Sequence, residues 1–153
     1  MEVANPTPHV YQELNIHRTI QESVEDLSVR EPMDSLEIYE HIRRIKDPEH
    51  PSVTLEQLKV ISPDLITVDD VGNHIVVKFT PTVDNCTMAT LIGLAIRTKL
   101  IRVLPYRIKV DIYLTEGTHQ TEEDVNKQLN DKERVAAALE KPSLLAVVNK
   151  CLI

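Results

Sequence analysis

The stretch CTMATLIGLAIRTKLIRVL (86–104) is apolar on almost every side for its first three turns, a pattern typical of a helix buried in the centre of a domain. Gly93 within it costs about 1 kcal/mol relative to alanine, and we expect close packing on a sheet to be the reason for it. Pro105 ends the helix, and the strand that follows, RIKVDIYLT (107–115), alternates between apolar and polar residues. This pair of elements predicts a helix packed on a sheet.

The segments on either side predict the rest of the sheet and its helices. DSLEIYEHIRRIK (34–46) has apolar residues at helical spacing, and two later strands flank a hairpin-like connection. The two strands of the hairpin are 65–70 and 74–80. The other predicted elements are a short strand over 58–62, a helix over 121–139 and a last helix after Pro142. A right-handed crossover should join 74–80 to 107–115. The fold class is therefore α/β, a small mixed sheet with helices packed on one face and additional C-terminal helices.

The first part of the chain differs in composition from the rest. Residues 1–33 are polar, acidic and interrupted by prolines, which predicts a mostly disordered N-terminal arm before a single α/β domain at 34–153. The chain has 153 residues and a formal net charge of −7, yet 87–110 carries five bases and no acid. The overall acidity argues against general nucleic-acid binding. The basic stretch is either a solvated helix face or a docking patch for an acidic protein partner.

Composition excludes several kinds of site. With no Trp, one Phe and four Tyr, the chain lacks the aromatics of a stacking platform for single-stranded nucleic acid. Two Cys cannot supply a paired-CxxC zinc site or the four thiolates of an iron–sulfur cluster. Its three separated Gly cannot form a phosphate loop. Because the chain shows neither a signal peptide nor a long apolar run, we expect a reducing compartment, the cytosol or the nucleus.

Cys86 is the most informative single residue. It begins the buried helix, where free N–H groups and the helix dipole stabilise a thiolate, whereas Asp84 two residues earlier disfavours a second anion. Two readings of Cys86 therefore stay open: a nucleophilic or metal-binding thiol, and a small apolar residue that packs at the junction of sheet and helix.

Other candidates lie in loops and in the last helix. His119 follows the strand at 107–115 and is either a metal ligand or part of a surface turn. Asp47 and Glu49 in DPEHP are either a pair of carboxylates in a pocket or parts of a capped, proline-stiffened turn. Cys151 lies on an apolar helix face and is predicted to pack in the core. None of the common hydrolase, zinc-peptidase, phosphate-loop or dinucleotide motifs is present.

Several segments together resemble one known family, the cytosolic iron–sulfur assembly component 2 family, also called the MMXD-complex subunit or Galla family. The resemblance covers about 36–153, and EGTHQTEED is similar to the A-type members whereas DPEHP is similar to the B-type members, so the paralogue type stays open. The segments that carry it are EIYEHIRRIKDPEHP (37–51), TLEQLKVIS (54–62), FTPTVDNCTMATLIGLAIRTKL (79–100), EGTHQTEEDVNKQLNDKERVAAALE (116–140) and VVNKCL (147–152).

The resemblance implies a function that composition does not show. Members are non-enzymatic subunits of the cytosolic iron–sulfur protein assembly targeting complex, which helps deliver [4Fe–4S] clusters to cytosolic and nuclear apoproteins and is linked to chromosome segregation. It implies as partners a WD-repeat propeller subunit, a HEAT-repeat adaptor and apo client proteins, with no direct nucleic acid and no membrane span. It also implies that homodimers can form by exchange of elements. A cytoplasmic and nuclear location follows.

The resemblance also assigns roles to residues. Cys86 matches the family's reactive cysteine, which implies a transient cluster contact; Cys86 and His119 are the candidate metal ligands, and Asp47 and Glu49 would line the same pocket. Animal members commonly have Pro-His before that cysteine, where Asp84-Asn85 stand here. No cofactor would be stably bound, only a transient [4Fe–4S] cluster or adventitious zinc. The residues implied in partner docking are Asn126, Lys127, Gln128, Lys132, Glu133 and Arg134.

Two alternatives to a cluster-handling adaptor stay open. One is a thiol-dependent enzyme or redox protein that uses Cys86 as nucleophile, with His119 or His50 as its base. The other is a pure scaffold in which Cys86 only packs.

Overall fold

A computed structural model describes residues 8–14, 33–82, 85–117 and 122–153, and for Cys86 it describes the position in its helix but not the side chain. Within these residues, three strands and five helices follow one another, with a short 3₁₀ turn (Pro63–Leu65) before the first strand. They are α1 (Ser35–Ile42), β1 (Ile66–Asp69), β2 (His74–Phe79), α2 (Cys86–Val103), β3 (Lys109–Leu114), α3 (Glu122–Asn130), α4 (Lys132–Leu139) and α5 (Pro142–Leu152).

The strands form a mixed sheet in the order β1-β2-β3, in which β1 and β2 are antiparallel and β2 and β3 are parallel. Alternate residues of β2 and β3 face the core, as the period of two in their sequences predicts. The buried residues pair across the two strands as Ile75 with Val110, Val77 with Ile112 and Phe79 with Leu114. The α/β class and the mixed sheet predicted from the sequence are therefore confirmed.

Two predicted elements differ in the structure. No strand forms over 58–62, because Lys59 adopts a left-handed backbone conformation with φ of 55° that a strand does not allow. The helix predicted over 121–139 is divided into α3 and α4, because the Asp131 side chain accepts hydrogen bonds from Glu133 N and Arg134 N and so begins a new helix. Both interruptions come from local backbone chemistry that apolar spacing does not report.

The reason for Gly93 in α2 also differs from the sequence prediction. A Cβ atom at this position would lie 2.4 Å from Cδ1 of Leu129, a fully buried residue of α3. The close packing is therefore real, but it brings α2 against another helix and not against the sheet.

Helix α3 is fixed to the outer edge of β3 by two asparagine side chains. Asn130 accepts from Ile112 N at 2.8 Å and donates to Ile112 O at 2.7 Å, while Asn126 accepts from Leu114 N at 2.8 Å. The amide of Asn130 also accepts from the Arg97 guanidinium of α2 at 2.9 Å. Backbone groups at this edge that a neighbouring strand would otherwise bind are thus satisfied by side chains.

Part of the predicted N-terminal arm contacts the domain. Tyr11 N donates to Gln57 O at 2.6 Å, and the Lys59 ammonium lies 4.2 Å from the centre of the Tyr11 ring. The guanidinium of Arg43, only 3% exposed, donates to Leu14 O. The remainder of the arm predicted to be disordered, 1–7 and 15–32, lies outside the described residues.

Candidate functional site

The two segments with the candidate thiol and the candidate imidazole leave the sheet side by side. Because β2 and β3 are parallel, their carboxyl ends lie at the same end of the sheet, where α/β folds commonly bind ligands. Thr80 and Thr115 follow these strands, and their hydroxyl oxygens are 2.7 Å apart. From Thr80 the chain leads to Cys86, and from Thr115 it leads into the loop that contains His119, which lies outside the described residues.

The backbone around Cys86 suits an anion. Cys86 is the first residue of α2, and the Asn85 side chain before it accepts a hydrogen bond from Met88 N at 3.2 Å. The first turn of this 18-residue helix contains no acidic residue. Within the turn, therefore, no negative charge offsets the positive end of the helix dipole or competes with an anion for the free N–H groups. Asp84, the one nearby carboxylate in sequence, lies outside the described residues, and the contacts of the thiol itself stay a prediction.

The DPEHP segment forms a capped turn. The carboxylate of Asp47 is buried and accepts from Glu49 N at 2.8 Å and His50 N at 3.1 Å. The Glu49 carboxylate lies 4.0 Å from Nε2 of His50, and both side chains are mostly buried. Asp47 therefore stabilises the turn, and Glu49 lies beside His50 within it.

The structure brings Asp47 together with the second cysteine, Cys151. Cys151 lies near the end of α5 and is 4% exposed, and its carbonyl oxygen accepts a hydrogen bond from Lys46 N at 2.9 Å. Burial, and secondly the nearby Asp47 carboxylate, raise the pKa of the Cys151 thiol to about 11. Cys151 is thus a protonated packing residue at neutral pH, as its apolar helix face predicts. Proximity of Asp47 and Glu49 to Cys86 stays a prediction.

The residues implied in partner docking fall into two groups. Five of them are exposed on α3 and α4: Lys127, Gln128, Lys132, Glu133 and Arg134. Asn126 instead is half-buried and holds the edge of β3 through Leu114 N. Sequence reasoning missed Asn130, the stronger of the two edge contacts, although the i, i+4 spacing of Asn126 and Asn130 was a signal that both face one neighbour.

A groove lies beside this docking set, between α2 and the helices α3 and α4. It has a volume of about 310 Å³ and an apolar floor that includes Leu94 and Val135, with Gln128 and Arg134 at its rim. A neighbouring groove of similar size reaches the first turn of α2 at Thr87. Together they connect the exposed surface of α3 and α4 with the helix end at which Cys86 lies.

The described residues contain neither a grouped set of metal-ligating side chains nor a membrane-spanning helix. Among them, no three His, Cys, Asp or Glu side chains are grouped as ligands for a metal ion; His119 and the Cys86 side chain lie outside this set. In the same part of the chain, every helix is too short or too polar to cross a bilayer.

Comparison with known proteins gives matches along nearly the whole chain. Protein AE7 of Arabidopsis thaliana is 52% identical over 148 residues, covering 97% of this chain and 94% of that protein. The MIP18 family protein galla-2 of Drosophila melanogaster is 51% identical over 99% of this chain and 96% of its own length. The cytosolic iron-sulfur assembly component 2B of Mus musculus is 51% identical over 97% of this chain and 90% of its own. No protein-family model matches the chain.

Proposed function

The chain belongs to the MIP18 family, the cytosolic iron–sulfur assembly component 2 family, and from this membership we propose that it acts in cytosolic iron–sulfur protein assembly as a subunit of a targeting complex. The observation that supports the proposal most is the 51% identity to a protein named for this assembly, spread over almost all of both chains. The aligned stretch spans 97% of this chain and 90% of that protein.

The cluster is cargo in this proposal and not a resident cofactor. Cys86 is the one thiol with a suitable position, since Cys151 is buried with a raised pKa. Its thiolate would form one Fe–S bond to an incoming [4Fe–4S] cluster, displacing one ligand, and a client thiolate would later displace Cys86 in turn. No electron is transferred in either exchange. One thiol cannot hold a cluster alone, so the remaining ligands come from a partner or the client.

An adaptor of this kind works by docking and needs no turnover chemistry. We propose that the exposed residues of α3 and α4, with the groove beside them, contact the other subunits, a WD-repeat propeller and a HEAT-repeat adaptor. Lys127, Gln128, Lys132, Glu133 and Arg134 are the candidates, whereas Asn126 would act by holding α3 in place. Cluster delivery would take place in the cytoplasm. Its recipients would include nuclear apoproteins, and through them the chain would be linked to chromosome segregation.

The test is complementation in cells that lack this chain. We expect the activity of a cytosolic [4Fe–4S] enzyme to fall in the depleted cells, while that of a mitochondrial [4Fe–4S] enzyme is unchanged. The full chain should restore the cytosolic activity and co-purify with a WD-repeat and a HEAT-repeat protein. Normal cytosolic enzyme activity without the chain would refute the proposal. A thiol-dependent enzyme would instead restore activity without either subunit bound.

A further inference from the structure

One end of the molecule, away from the start of α2, exposes apolar and cationic side chains together. It consists of the last turn of α2, the connection 104–108 and the first residue of β3, and we name it the α2–β3 end. The Tyr106 side chain is fully exposed there, and Ile101 and Val103 of α2 are 59% and 37% exposed. A single exposed apolar residue is ordinary, but an exposed aromatic beside two aliphatics in one short segment is typical of an interaction site.

The same segment is strongly basic. Arg102, Arg107 and Lys109 are exposed, and the sequence holds no Asp or Glu between Cys86 and Lys109. In a chain with a formal net charge of −7, these cations form a local field of opposite sign. At physiological salt that field extends about 8 Å from the surface, which is enough to orient a partner that approaches this end.

The turn between β1 and β2 borders the α2–β3 end. Lys109 N donates to Asn73 O at 2.9 Å, and Val71 in that turn is 95% exposed. The acids of this turn have local partners, because Asp69 accepts from Gly72 N and Asp70 from Met33 N.

We propose that the α2–β3 end is a docking surface for an acidic protein segment that carries aliphatic or aromatic side chains. Tyr and Arg are enriched at the energetic centres of protein interfaces, and this end presents both. Nucleic acid fits less well because three cations and one aromatic make a small footprint on an acidic protein. The proposal goes beyond the function proposed above, since it involves neither thiol nor cluster and can fail or hold independently of it.

The experiment uses the full chain and two synthetic 14-residue peptides. In the first, Glu and Asp alternate with Leu and Phe, and in the second Lys replaces each acid. Binding is measured by fluorescence anisotropy, and the contact surface is located by amide chemical shifts. We expect the acidic peptide alone to bind, to shift the amides of 101–109 and 71–74, and to bind at least tenfold more weakly at 500 mM than at 50 mM salt.

Two charge-reversed variants separate this surface from the rest of the protein. Arg107→Glu with Lys109→Glu should weaken the acidic peptide at least tenfold, and Tyr106→Ala about fivefold. The matched control, Arg44→Glu with Lys141→Glu, lies outside both this end and the residues proposed for subunit docking. It changes the net charge by the same amount and should alter binding less than twofold. All substituted side chains are exposed, and thermal unfolding of each variant checks that the fold is retained.

Several results would overturn the proposal. One is that the acidic peptide shows no measurable binding, and another is that both charge-reversed pairs weaken its binding equally. Amide shifts confined to other surfaces would also contradict the proposal. A single-stranded oligonucleotide, or vesicles rich in phosphatidylserine, could bind the α2–β3 end more tightly than the acidic peptide does. That result would show that the surface recognises another class of anion and not a protein segment.

Discussion

The contact between Asn130 and the edge of β3 leads to a quantitative prediction about stability. Replacement of Asn130 by alanine removes four hydrogen bonds at once. Two join the side chain to Ile112 N and O at 2.8 and 2.7 Å, one to the Arg97 guanidinium at 2.9 Å and one to Asn126 O at 2.8 Å. No other single side chain described here joins α2, α3 and β3 to one another through so many bonds.

The expected magnitude follows from what each bond contributes. A typical intramolecular hydrogen bond contributes about 1 kcal/mol net to the free energy of unfolding. A buried polar group left without a partner lowers that free energy by about 1–3 kcal/mol. Since Asn130 is half-buried, water replaces part of what is lost. We therefore expect Asn130→Ala to lower the free energy of unfolding by roughly 2–4 kcal/mol. Asn126→Ala, which removes the bond to Leu114 N, should lower it by about 1 kcal/mol.

Urea denaturation followed by circular dichroism measures these differences, with the slope m checked for constancy. Lys127→Ala is the matched control on the same helix, because its side chain is 68% exposed and its ammonium lies 3.9 Å from the Glu123 carboxylate. An exposed pair of this kind contributes about 0.5 kcal/mol or less. If Asn130→Ala were no more destabilising than Lys127→Ala, the attachment of α3 through its asparagines would be wrong.

Three further predictions concern Gly93 and the cysteines. Gly93→Ala should destabilise by about 1–2 kcal/mol through its clash with Leu129, yet should stabilise by up to about 1 kcal/mol in a Leu129→Ala background, where the Cβ finds room; an equal effect in both would contradict the packing. The folded pKa of Cys151 is about 11 against an ordinary 9.0, so the folded state holds this proton more tightly and stability is lost as pH rises from about 9 to 11, by up to roughly 2–3 kcal/mol; Cys151→Ala should show a smaller loss, and parallel pH profiles would argue against it. Iodoacetamide at pH 7.5 should alkylate Cys86 in the native protein before Cys151, because a thiol of pKa about 11 is almost entirely protonated; mass spectrometry that finds Cys151 modified first would reverse this assignment.

The spacing of apolar residues predicted the helices and strands that bury one face or are buried on every side. The buried helix at 86–104, the strands at 74–80 and 107–115 and the last helix were all expected within a few residues, because hydrophobic periodicity alone determines them. The division of the helix at Asp131 and the loss of the strand over 58–62 were not expected. In the first case a capping side chain, and in the second a left-handed Lys59, overrides the pattern.

The candidate site was predictable to a smaller extent. The helix-start position of Cys86 and the core position of Cys151 follow from the sequence, since each depends on one element. That Asp47 stabilises its own turn and lies near Cys151 depends on how α5 packs against a distant segment, which no local pattern contains. The i, i+4 spacing of Asn126 and Asn130 indicates that both face one neighbour, but that this neighbour is the edge of β3 depends on how α3 packs.

The most direct test of the central proposal compares the two cysteines in the same assay. In cells that lack this chain, incorporation of radioactive iron into a cytosolic [4Fe–4S] client is measured after expression of Cys86→Ser, Cys151→Ser or the unchanged chain at equal abundance. We expect Cys151→Ser to support incorporation close to that of the unchanged chain and Cys86→Ser to lower it at least fivefold while its partner subunits remain bound. Full incorporation with Cys86→Ser would contradict a cluster-handling thiol and leave a scaffold in its place.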